Sequence, residues 1–490
     1  MGNFAFIIKL FCPLFHMLIL LSGFAGLNIT TGVFMLLLLC VLAVCFFEFI
    51  NGFHDTANAV ATVIYTKSME PTRAVILSGI LNFVGVITGG LGVAMGILKL
   101  LPLTDLMYAP LGLNIAFLLA VLISAIVWNL GTWYYGIPAS SSHTLIGALI
   151  GASLVFGDVS SEQMTKAYEV FTFLLITPVF GFFVAWFLLT IMRNTIKNEA
   201  LYNSPKEKDT PPFTIRMLTI LGCMGISYTH GSNDGQKGVG LLMVVLVAFL
   251  PVHFALSPAF DTVKAEATIS KIEQAINPEN SEIKPEFAKL QKEVSKTKEL
   301  LIAMATNKNL PIEKQEKTLV LDTRKQLRNV LPKELKKITT DDDAKKSLGE
   351  EKVKALKSAS KELETYTDFA PTWTIVLISL CLGIGTMIGW KRVVKTIGEK
   401  IGKTPFDYSQ GFISQVVSAL TIFASTYFKL PVSTTHIVSS SVMGTMFAKG
   451  GKGNIQRKTI TNIFMAWVLT LPVSIGLSAG IFWLLRFLLV

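Results

Sequence analysis

Apolar runs of about 20 residues, each long enough to cross a bilayer, alternate with short polar joints along most of this chain. They predict helices over roughly 33–66, 73–98, 114–135, 138–157 and 168–192, and again over 214–250, 370–390, 409–428, 431–448 and 459–488. The first member of each set is too long for one straight crossing, and each carries a Gly/Asp/Asn stretch in its middle. Unwound backbone at membrane depth is tolerated only where it lines a cavity or is buried in protein. The two long segments are therefore expected to be helices broken at those stretches. The fold class is all-α: a polytopic integral membrane protein of about ten or eleven transmembrane helices, some of them broken or re-entrant.

The polar stretches are duplicated. Asn51-Gly-Phe-His-Asp-Thr-Ala-Asn-Ala-Val60 superposes on His230-Gly-Ser-Asn-Asp-Gly-Gln-Lys-Gly-Val239, so that Gly52 meets Gly231 and Asp55 meets Asp234. A second pair follows, Pro138-Ala-Ser-Ser-Ser-His-Thr144 and Pro431-Val-Ser-Thr-Thr-His-Ile437. A duplicated membrane unit with polar residues at mid-depth is the sequence mark of a secondary transporter. Five spans per repeat is an odd number, so the two repeats must enter the membrane from opposite sides, in inverted topology.

Charge sets the orientation. The formal net charge of +11 invites a nucleic-acid reading that its distribution defeats. Positions 261–368 hold 22 basic and 20 acidic residues, leaving 22 basic against 13 acidic elsewhere. That excess lies in the short joints Lys67–Arg73, Arg193–Arg216, Lys391–Lys403 and Lys449–Lys458, which the positive-inside rule assigns to the cytoplasm. The chain then divides into an N-terminal extension or extra helix over 1–30, a first repeat over 31–192, a cytoplasmic linker over 193–213 and a second repeat over 214–490. The two motifs stand 86 residues apart in the first repeat and 200 in the second. The difference is a charged, helical insert over 255–369, expected outside the cell together with the C-terminus. A small helical cap and a flexible solvated segment are both open readings of it. Residues 1–30 are read as an extra helix, with a signal sequence or a plain extension as alternatives. The five cysteines sit in apolar stretches without a CxxC pair, which supports neither a disulfide framework nor a zinc site.

Asp55 and Asp234 lead the candidate residues, because an ionisable group at bilayer depth is a functional hypothesis by default. Glu48 lies on the same helical face as Asp55 and is a second acidic candidate; its repeat counterpart is Ser227. Together they are the candidates for holding a coupling ion or metal. Each hydroxyl run reads as a helix start, with proline in the first turn and hydroxyls as caps. A helix that begins in mid-membrane turns free N–H groups and the positive end of its dipole toward the cavity. Ser140, Ser141 and Ser142, with Ser433, Thr434 and Thr435, add donors suited to a tetrahedral oxyanion; Asn58 and Asn233 are their polar neighbours. His143 and His436 close the runs, and His54 and His230 flank the aspartates. These histidines are candidates for proton relay or for a divalent metal, although their spacing fits no zinc signature. Lys237 replaces Asn58 in the repeat and serves either substrate charge or an aspartate. No catalytic motif appears, and the chain reads as a transporter and not an enzyme.

These motifs, Gly-x-x-Asp-x-x-x-Ala/Gly twice and Pro-x-Ser-Ser/Thr-Ser/Thr-His in each half, resemble the PiT family of inorganic phosphate transporters, and most closely its bacterial low-affinity, proton-coupled members. The resemblance implies uptake of inorganic phosphate by symport with a proton across the bacterial inner membrane. It further implies a divalent metal travelling with phosphate and no tightly bound cofactor. Many relatives use sodium, so a sodium-coupled symporter is the alternative; a passive anion channel and a metal-dependent hydrolase are remoter rivals. The expected partners are phosphate, the coupling ion and the lipid bilayer, with no nucleic acid. A homodimer is left open. The N-terminal extension and the insert sequence depart from the subgroup.

Overall fold

The structure, a computed structural model, describes residues 30–98, 101–157, 161–205, 211–277, 287–308, 310 and 315–489. The expectations for the N-terminal extension fall outside this set, save Thr30, whose hydroxyl caps the first helix. Ten principal helices follow: α1 (Thr31–Tyr65), α2 (Pro71–Thr88), α3 (Leu111–Tyr134), α4 (Ser141–Phe156), α5 (Ser161–Thr195), α6 (Phe213–Phe249), α7 (Thr372–Thr386), α8 (Tyr408–Tyr427), α9 (Thr434–Gly450) and α10 (Arg457–Leu489). Among the described residues the only β pairing is one isolated bridge, Gly402 with Ile455.

The expected breaks inside the two long segments do not form. α1 runs unbroken for 35 residues and α6 for 37, each straight through its Gly/Asp/Asn stretch. At 1.5 Å per residue each is about 50 Å long, well beyond the apolar thickness of a bilayer. The cause is burial. From Val41 to Val63 and from Ile226 to Phe249 nearly every residue is covered by other helices, so the polar middle never meets lipid. Hydropathy separates the two. Five described helices are long and apolar enough to cross a membrane alone, and α6 is not among them. The interruptions lie elsewhere. α2 stops at Thr88 and resumes as the short helix Gly92–Leu98, with Gly90 at a φ of +78°. α7 is followed by a 53° bend into Lys391–Lys400. α4 and α9, with 16 and 17 residues, start at the hydroxyl runs.

The halves interlock. α2 packs on α6 and α7 on α1; α4 packs on α10 and α9 on α5. Glycines make these crossed contacts possible at backbone distance. A Cβ at Gly52 would sit 2.3 Å from Leu382 O, and one at its repeat counterpart Gly231 would sit 2.2 Å from Asn82 O. Gly151 against Ile475 O and Gly444 against Phe182 O repeat the device at 2.1 and 2.2 Å. Every contact thus has a copy with the halves exchanged, as small residues at helix interfaces in membranes allow.

Between α6 and α7 the insert folds into helices over Thr262–Ile276, Ala288–Lys308, Lys317–Lys325, Leu331–Thr340, Asp342–Leu348 and Glu350–Thr365. They enclose an apolar core that includes Ile269, Leu290, Leu327 and Leu356 and is joined by Met107 and Val247 from outside the insert. Tyr108 donates to Asp322, and Arg328 pairs with Asp368 at 2.7 Å, tying this unit to the membrane helices and to the chain that leads into α7. Arg324 is buried beneath it, donating to the carbonyls of Ala255 and Thr367. Burial, reinforced by the neighbouring Arg328, pushes its pKa down to about 9.

Candidate functional site

The duplicated motifs converge. α1 carries Asp55 and α6 carries Asp234, both fully buried, and the starts of α4 and α9 meet them. Asp55 accepts hydrogen bonds from Ser141 of its own half, at 3.0 Å, and from Thr435 of the other, at 2.7 Å. Asp234 accepts one from Thr434 of its own half at 3.1 Å. Where symmetry calls for Ser142 of the opposite half, the Lys237 ammonium is interposed, donating to both Asp234 and Ser142. Its counterpart Asn58 donates to Thr435 at 3.0 Å. Ser142 in turn donates to Val432 O at 2.8 Å.

Two of the six hydroxyls do a different job. Ser140 accepts from His143 N at 3.1 Å, and Ser433 accepts from His436 N at 3.2 Å, so both are N-caps that fix where α4 and α9 begin. The rings of His143 and His436 face one another with centroids 4.4 Å apart, between the two helix starts. Trp467 stacks on the far side of His436 at 4.2 Å.

His230 bridges the aspartates. Its Nε2 lies 3.1 Å from Asp234 Oδ2 and 3.5 Å from Asp55 Oδ2. Its Nδ1 lies 2.7 Å from Asn82 Oδ1, while the Asn82 amide donates to Thr386. The Nδ1 proton is therefore committed to Asn82, and Nε2 is left facing two carboxylates. Such a nitrogen carries either a proton or a metal. Ligand atoms of Asp55, His230 and Asp234 all lie within 4.8 Å of one another, an oxygen, nitrogen and oxygen set that could hold a divalent cation. His54 lies 3.0 Å from Asp55 and 3.3 Å from Thr132.

The remaining candidates stand further off. Glu48 is buried but makes no bond to Asp55; Asn51 donates to it at 3.3 Å and it packs against Gly238. Asn233 faces away, donating to Thr426 and to Leu430 O at 3.0 and 3.2 Å. Thr426 and Leu430, with Gly89, Gly92, Met95 and Asp368, line a cavity of about 570 Å³ on the insert side. Asn233 thus bonds two of its lining residues. At the symmetry-related position aromatic side chains pack together: Trp133 donates to Gly389 O at 2.8 Å, with the Phe53 ring in a T-shaped contact at 5.0 Å and Arg392 over Trp133 at 5.1 Å.

Sequence reasoning missed Asn82, Gln236 and Trp133. Asn82 had a signal, being the only amide in the apolar run of α2. Gln236 accepts from Val93 N at 2.7 Å and so anchors the short helix after α2, a role that no spacing announces.

The pattern of the Phosphate transporter family matches residues 51–478. The low-affinity inorganic phosphate transporter PitA of Escherichia coli K12 is 39% identical, with 96% of this chain and all of that protein covered. PitB of the same organism is 38% identical over 95% of this chain and 99% of its own. A solved structure titled "The sodium-dependent phosphate transporter" shares the fold, with a TM-score of 0.54 at 20% identity, covering 93% of this chain and all of that one.

Proposed function

The chain belongs to the Phosphate transporter family, and on that premise we propose that it imports inorganic phosphate by symport with a proton across the bacterial inner membrane. One observation carries the reading: the hydroxyls that start α4 and α9 are bonded to the aspartates of both halves. Free N–H groups and dipoles at two helix starts favour an oxyanion between them. Ser141, Thr435 and Thr434 are each one donor shared between a carboxylate and an arriving phosphate. An ionised Asp55 holds Ser141 and Thr435 to itself. Once protonated, it accepts more weakly, and those hydroxyls turn to phosphate oxygens. Proton and phosphate then bind cooperatively, which is what coupling requires.

His54 and His230, in contact with Asp55, supply a route for that proton. Asp55, His230 and Asp234 suit a divalent metal that travels as cargo with phosphate. In this reading the repeats are inverted, the insert and C-terminus lie outside, and access alternates as one bundle rocks on the other. Labelled phosphate uptake into proteoliposomes, with and without an inward proton gradient at matched sodium, tests it. Uphill uptake driven by the proton gradient is expected; uptake responding only to sodium overturns the coupling, and no flux overturns the substrate.

A further inference from the structure

We propose that Lys237 is a resident cation, occupying in the second half the position a second coupling cation would need and leaving one place for a coupling proton or cation, at Asp55. A divalent metal carried as cargo with phosphate is outside this count. The inference rests on the transport reading above. Its basis is a departure from two-fold symmetry between the hydroxyl runs and the aspartates. In the first half, Asp55 and Thr435 touch directly at 2.7 Å, and Asn58 donates to the same Thr435 from beside them. In the second half the equivalent pair, Asp234 and Ser142, is held apart by an ammonium that donates to both.

Lys237 is buried to 2% exposure, so its charge is not a solvated one resting on a surface. Its ammonium brings one positive charge to Asp234 at the cost of no bound ion. Removing that group would leave Asp234 with His230 at 3.1 Å and Thr434 at 3.1 Å on one oxygen and the Ser142 hydroxyl facing the other. Oxygen donors beside a carboxylate suit a hard cation, and His230, shared with Asp55 at 3.5 Å, does not reach into that gap. A lysine that only neutralised Asp234 could do so from either side of the carboxylate. This one stands in the gap that symmetry would otherwise close.

The experiment compares wild type with Lys237→Asn, which restores the residue found at position 58. Uptake is measured in sodium and in choline at fixed pH and proton gradient. Wild type is expected to be indifferent to the exchange. The variant is expected to lose at least about tenfold of its uptake in choline, equivalent to 1.4 kcal/mol, and to regain it in sodium. The double variant Asp234→Asn with Lys237→Asn removes the charge that would recruit sodium and is expected to show no sodium response. A single variant indifferent to sodium, or a double variant that still requires it, overturns the assignment.

Two further readings keep the test independent of transport by the variant. Sodium should raise the melting temperature of detergent-purified Lys237→Asn relative to choline and leave wild type unmoved; equal shifts overturn the proposal. Wild type should carry one coupling cation per phosphate, and two would overturn it. Failure of wild type to use the proton gradient sinks the symport reading alone, because the melting comparison still judges Lys237.

Discussion

The Thr435 hydroxyl donates to Asp55 at 2.7 Å, joining residues 380 positions apart and from opposite halves of the chain. A hydrogen bond to a charged group is worth about 1.5–3 kcal/mol. Thr435→Val keeps the shape and removes the donor. Uptake at low phosphate should fall roughly 10- to 100-fold in that variant, while Thr435→Ser should stay near wild type. Initial-rate uptake over a range of phosphate concentrations distinguishes them.

Asp55→Asn should abolish gradient-driven uptake without unfolding the protein. The amide keeps the volume and can still meet Ser141 and Thr435, but it cannot take up and release a proton. Elution of the variant as a single species in detergent, with no uphill uptake, is the expected pair of results.

The crossed glycine contacts should be intolerant of any side chain. A Cβ at Gly151 or Gly444 falls on backbone oxygen at 2.1 or 2.2 Å, and backbone cannot swing aside as a side chain can. Gly151→Val and Gly444→Val should each cost more than the 1–3 kcal/mol typical of overpacking. The control is Gly480→Ala, where nothing lies within 4 Å and stability should be unchanged. Thermal melting of the three variants in one detergent makes the comparison.

The cavity on the insert side should admit water-borne reagents. Phe428 is 67% exposed at its rim, so in a chain stripped of native cysteines Phe428→Cys should react quickly with a membrane-impermeant thiol reagent applied from the insert side. Ile50→Cys, fully buried and packed with the Trp133 and Phe53 plug, should react at least about tenfold more slowly from either side. Equal rates would show that the plug does not seal.

Much of this was legible in the chain. The apolar periodicity gives ten helices in two sets, and the motif spacing brings Asp55, Asp234 and the two hydroxyl runs to one site. Continuity of α1 and α6 was not legible. A polar stretch within an apolar run has the same appearance whether the backbone unwinds or its neighbours bury it, and here the neighbours arrive from the other half. Ser140 and Ser433 illustrate the same limit: three consecutive hydroxyls look equivalent until the helix start shows that the first is the cap. Asn82 and Trp133 act through partners some 150 and 250 residues away, which no local pattern encodes.

The exchanged packing also governs how the chain must be made. α1 finds its glycine contact on α7, α4 finds its own on α10, and the long insert is synthesised in between. Neither repeat can therefore complete its interior while the ribosome is still working on the other. Early helices must wait in the bilayer, with their close-approach faces unmatched, until partners some 330 residues later emerge. Assembly governed by such distant pairings is slow and prone to premature aggregation. Production of each repeat from a separate gene should accordingly give two unstable fragments, and joint expression should be needed to recover either.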